Sequence, residues 1–79
     1  MQPFTYVYQG IVYESSVGHY LDAGDSRYRV TLPDGLEIVV ARFGMNPKIW
    51  LQAVGPGVKE YPHDFAQAVG EGINQILSK

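Results

Sequence analysis

No cysteine occurs in the 79 residues, which removes disulfides and thiolate metal sites, the usual staples of small scaffolds. No apolar run approaches the roughly 18–20 residues of a membrane-spanning helix, and no basic segment followed by an apolar one opens the chain. The expectation is a soluble, cytoplasmic protein without membrane association; a periplasmic one would need a leader cut away. Charge is scarce too. Six Lys plus Arg stand against eight Asp plus Glu, for a net charge of −2, and the basic residues are scattered. That pattern argues against nucleic-acid binding, which normally shows a concentrated basic footprint.

What is present is apolar and aromatic. Hydrophobic residues make up 46% and aromatic ones 13% of the chain, a composition that folds rather than staying disordered. The length fits a single domain over residues 1–79. At 8.8 kDa, folding buries only roughly 60–65% of the open chain's surface, so help from a partner surface is expected.

Arg27 to Phe43 (RYRVTLPDGLEIVVARF) reads as a β-hairpin with its register attached. Pro33-Asp34-Gly35 has the chemistry of a three-residue loop: proline presets the first φ, aspartate follows, and glycine takes the left-handed position. Leu32 then faces Leu36, Val30 faces Ile38 and Tyr28 faces Val40, all on the core side. Arg27, Arg29 and Thr31 oppose Ala41, Val39 and Glu37 on the other side, with Phe43 beyond.

Phe4 to Tyr13 is β-branched, aromatic and alternating, and reads as a first strand with Phe4, Tyr6 and Tyr8 on one face. Gly10 leaves the rest open: Val12 joins the tyrosine row if the alternation is unbroken, Ile11 and Tyr13 if Gly10 marks a bulge. Glu14 to Ser26 is either a long loop or, the version we prefer, a stretch in which His19-Tyr20-Leu21 extends the second strand and Asp22 to Asp25 turns. Gly44 to Pro47 is a short connection into a fourth strand, Lys48 to Val54. There the apolar trio Ile49, Leu51 and Ala53 is assigned to the core, sending Trp50, Gln52 and Val54 outward. Gly55-Pro56-Gly57 ends the sheet. Pro62 to Leu77 repeats apolar residues at helical steps (Phe65, Val69, Gly72 or Ile73, Ile76), with Asp64 suited to the positive pole. Gly72 on that stripe would let the helix approach bulky residues such as Tyr28.

The expected fold is therefore α+β, a four-stranded antiparallel sheet in β-β-β-β-α order with one helix on one face. The opposite face, with Arg27, Arg29, Val39, Phe43, Trp50 and Val54, is the expected interface for a homodimer or another protein partner. Exposed hydrophobes on an antiparallel sheet also occur without function.

Catalysis is not expected. Ser15-Ser16 with His19 is the only nucleophile and base near one another in sequence, and no GxSxG elbow accompanies it. His63-Asp64 with His19 falls short of a zinc ligand set, and Asp22, Asp25 and Ser26 lack the calcium-loop spacing, so no metal or cofactor is expected. Gly55-Pro56-Gly57 is not a phosphate cradle, because Lys59, Glu60 and Tyr61 separate it from the helix. An alternative function is single-stranded nucleic-acid binding, with aromatic rings and Arg27 and Arg29 forming a stacking face. The element order resembles that of the dimeric single-strand-binding domains of the positive cofactor four type. The resemblance is one of topology alone, and the lysine-rich strands expected there are missing.

Overall fold

The computed structural model describes residues 2–22, 25–43 and 46–77, and their side chains except those of 19–22, 25–26, 43, 46–48 and 77. The chain is α+β, with five strands rather than four: β1 (Gln2–Tyr8), β2 (Ile11–Asp22), β3 (Asp25–Thr31), β4 (Glu37–Phe43) and β5 (Asn46–Gln52), then helix α1 (His63–Leu77). The strands form one antiparallel meander in the order β1-β2-β3-β4-β5.

The extra strand comes from splitting the expected first one. Gln9 and Gly10 have φ of 53° and 77°, the pair of positive angles that a two-residue type I′ turn requires, so Tyr8 pairs with Ile11 and the chain doubles back. Glutamine is an unusual residue there, which is why the turn reads poorly from composition. This also overturns the four-strand order behind the topological resemblance to single-strand-binding domains. Ile11 and Tyr13 do join the Tyr6 row, across a turn rather than a bulge.

Residues 11–22 form the extended hairpin, paired with β3 out to Asp22 opposite Asp25. The β3–β4 register is the one that the Pro33-Asp34-Gly35 turn dictates, with Tyr28 opposite Val40, Val30 opposite Ile38 and Arg29 opposite Val39. Gly35 takes φ of 89°, and Leu32 and Leu36 close the loop through a 2.8 Å bond from Leu32 N–H to the Leu36 carbonyl. Leu36 itself is 46% exposed, so the core row that the turn sets up begins at Leu32 and Ile38.

Helix α1 lies in the concavity of the curled sheet, packed chiefly against the two edge strands, β1 and β5, and less against β4. It thus fills the gap between the edges. The core beneath it contains Phe4, Tyr6, Val17, Tyr28, Val30, Leu32, Ile38, Val40, Trp50, Ala66, Val69 and Ile73.

Trp50 is the principal correction to the sequence reading. It pairs with Arg42 on the concave face and is 0% exposed, while Ile49 and Leu51 point outward at 37% and 38%. Counting apolar residues favoured the Ile49 face, but one indole buries about 150–250 Å², more than a small residue such as Ala53 can offer. The helix makes room for it at Gly70, where a methyl group would overlap the indole ring. Gly72 serves the same purpose against β1 rather than against Tyr28: a methyl there would come within 2.6 Å of the Thr5 carbonyl oxygen and 2.9 Å of Tyr6 Cβ.

Side-chain amides finish the β5 side. Gln67 of the helix accepts the Trp50 backbone N–H at 3.0 Å, occupying a donor on the outer edge of the sheet. This shields part of the edge along which another strand could add.

Candidate functional site

At one end of the molecule the strand ends, the β3–β4 turn and the start of the helix surround a cavity of about 310 Å³. Its sheet wall is Tyr6, Tyr8 and Tyr13, placed together because the Gln9-Gly10 turn sets Tyr6 opposite Tyr13 and alternation sends all three to the concave side. Leu32, Pro33 and Asp34 form the rim contributed by the β3–β4 turn, and Tyr61, Pro62 and Phe65 close the helix side.

The rings hold one another. Tyr6 and Tyr13 stack with centroids 5.7 Å apart and planes 21° from parallel, and Tyr61 and Phe65 stack at 5.0 Å and 27°. Phe65 meets Tyr6 at 83° and Tyr8 at 84°. Two stacked pairs therefore form walls nearly at right angles. Edge-to-face contacts of this kind add about 0.5–1.5 kcal/mol each beyond area burial, so the arrangement is stiff before any ligand arrives.

The polar groups are few and fixed. Tyr6 Oη and Ser15 Oγ share a buried hydrogen bond of 3.0 Å. Tyr8 O–H donates to Asp64 Oδ1 at 3.3 Å, tying β1 to the first helical turn. Asp34 Oδ1 accepts the Leu36 N–H at 3.1 Å, which sets its carboxylate on the rim. Tyr61 is delivered by Gln52, whose side-chain oxygen accepts the Tyr61 N–H at 2.8 Å while its amide donates to the Lys59 carbonyl at 2.8 Å. The Tyr61 hydroxyl is buried and makes no hydrogen bond among the described residues. Burial pushes the Tyr6 hydroxyl above the ordinary tyrosine value of 10.0, opposed by the Ser15 bond and reinforced by Tyr13, Asp34 and Tyr61. Desolvation and then Asp64 push Tyr8 up as well. Both rings are thus neutral donors and acceptors at physiological pH.

No family model, curated protein or solved structure matches this chain. The site must therefore be read from its own chemistry.

The residues expected to form an interface divide. Arg27, Arg29 and Val39 lie on the convex face, on the side opposite the helix. Val54 follows β5 and is 52% exposed. The Phe43 side chain lies outside the described residues. Trp50 is under the helix and is removed from that face, where Ile49 and Leu51 stand instead. The same correction breaks up the stacking face of the nucleic-acid alternative, because Trp50 and Tyr28 are concave and the two arginines convex.

Ser15 is 5% exposed in a strand, with Ser16 on the other face. His19 is four residues further along that strand, a separation of about 13 Å, beyond hydrogen-bond reach for a nucleophile and its base. The side chains of His19, Asp22, Asp25 and Ser26 lie outside the described residues. His63 is exposed at the head of the helix, and no three His, Asp or Glu side chains gather among the described residues. Gly55-Pro56-Gly57 forms a turn closed by Val58 N–H on the Gly55 carbonyl at 3.1 Å, with Gly57 at φ of 78°.

Sequence reasoning stops short of the tyrosine cavity. Its signal is the tyrosine row: Tyr6 and Tyr8 share one face of the strand and Tyr13 joins it once the chain turns at Gln9-Gly10, but alternation alone does not say whether that face is filled. Tyr61, between the sheet exit and the helix, carries no periodic mark of its own.

Proposed function

We propose that the chain is a non-catalytic binding module whose ligand seat is the tyrosine cavity. The observation that supports this reading is the cavity itself, about 310 Å³, with rings on two sides and Asp34 on the rim. Ligand sites are typically concave, mostly apolar, largely preformed and fitted with a few placed polar groups, and their volumes start near 300 Å³. A small group presented by a partner, or a small free molecule, fits that space. The test is an NMR screen of the full chain against a fragment library. Hits should shift resonances of Tyr6, Tyr13, Tyr61 and Phe65, and Phe65→Leu should weaken them roughly tenfold by opening the ring wall. Hits confined to the convex face would refute the reading.

A second reading keeps the convex face as a contact surface for another copy or another protein. Ile49 and Leu51, each more than a third exposed, with half-buried Val39 and Ala41, support it. Interface centres favour such apolar groups beside arginine, here Arg27 and Arg29. Sedimentation at high micromolar concentration should then show a dimer that Leu51→Lys converts to monomer; a monomer throughout removes the self-association version.

A further inference from the structure

We propose that the tyrosine cavity recognises a small organic cation bearing a methylated ammonium head of the choline type, held against ring faces with Asp34 as its counter-charge. This rests on the cavity being the ligand seat and adds the class of ligand.

Three observations converge on a cation. First, the stacked pairs Tyr6–Tyr13 and Tyr61–Phe65 meet nearly at right angles, with Phe65 and Tyr6 at 83°. A compact, rounded group placed in that corner touches rings of two orientations, and the electron-rich face of each ring attracts positive charge. Second, the lining carries one charged side chain, the carboxylate of Asp34, and no basic one. The Leu36 N–H holds that carboxylate in place, and Asp64 adds a second negative charge behind Tyr8. Third, Lys59 Nζ lies 5.1 Å from the ring centroid of Tyr61, so one wall of the cavity already holds a cation of the chain's own, which an incoming cationic ligand displaces toward solvent.

The methyl groups matter as much as the charge. A bare ammonium is strongly hydrated and loses that hydration on entering an apolar lining. Methyl groups spread the charge over an apolar shell that packs on rings and on Leu32 and Pro33. A neutral ligand of the same shape gains the packing alone.

The experiment titrates the ¹⁵N- and ¹³C-labelled chain with choline chloride and with 3,3-dimethylbutan-1-ol, in which carbon replaces the cationic nitrogen. Choline should shift the Tyr6, Tyr13, Tyr61 and Phe65 resonances and bind roughly fivefold or more tightly than the isostere. Asp34→Asn, which keeps a side-chain oxygen for the Leu36 N–H, should lower that preference about threefold and leave the isostere unchanged. Equal binding of the two ligands in the cavity would overturn the cation assignment while leaving the cavity as a seat. No response to either, with fragment hits elsewhere, would overturn both. A trimethyllysine peptide that binds where choline does not would overturn the assignment to a free small cation.

Discussion

At Gly70 and Gly72 helix α1 touches the sheet without an intervening side chain, whereas nearer its N-terminus Phe65 stands between helix and strand. The same element therefore closes the core at one place and props it open at another. Where glycine is used, the indole of Trp50 and the β1 backbone at Thr5 move into the space a side chain would fill. Where rings are used, they lean on each other instead of filling the centre, and a cavity is left. Beside Gly72 a second cavity of about 280 Å³ opens between β1 and the helix, lined by Pro3, Phe4, Thr5, Glu14, Gln75 and Ile76, so the closed contact is the one at Gly70.

The strongest test of the closed end is a mutant cycle. Trp50→Ala should cost about 3–5 kcal/mol, since it empties the largest fully buried side chain. Gly70→Ala should cost about 1–3 kcal/mol even though alanine favours the helix by about 1 kcal/mol. Combining Trp50→Ala with Gly70→Ala should cost well below the sum of the single effects, measured by urea denaturation. A Gly70→Ala variant as stable as the parent would show that the indole does not press on the helix there.

Gln67→Leu should cost about 1–2 kcal/mol, because the Trp50 N–H loses its acceptor. Hydrogen exchange should locate the loss: the Trp50 amide should exchange faster while those of β3 stay protected. Uniform exchange changes would mean that the amide is not the local edge cover.

The smallest effect expected is alkaline and sits at the open end. Tyr6 and Tyr8 have hydroxyls pushed above the ordinary 10.0, so the folded chain retains protons that the unfolded chain gives up. Stability is then unaffected below pH 10.0 and declines as pH rises through the folded-state values. Tyr6→Phe should flatten part of that decline in Tm measured across the alkaline range. A melting curve insensitive to Tyr6→Phe there would place the titration elsewhere.

How far the sequence revealed the fold follows the same division between tight and loose places. The β3–β4 hairpin was legible down to single pairs, because Pro33-Asp34-Gly35 specifies its turn locally. The helix was legible because its apolar repeat and Asp64 agree. The Gln9-Gly10 turn was not, since glutamine at φ of 53° is held there by the pairing around it rather than by its own preference. Trp50 was misplaced because its partner is a gap on the helix, Gly70, and an absent side chain leaves no apolar mark in the pattern. The β-bulge between Arg42 and Phe43 further interrupts any count of alternation from β4 into β5. The cavity depends on rings from β1, β2 and the approach to the helix, a convergence that only the five-strand topology creates.

Gln52 has a consequence for engineering. By gripping both Lys59 and Tyr61, it fastens the far end of the 53–60 loop to the sheet and leaves Gly55-Pro56-Gly57 outside the clamp. A reporter or an affinity peptide spliced in at Pro56 would thus hang from the domain like a handle, its motion damped before it reached the aromatic walls.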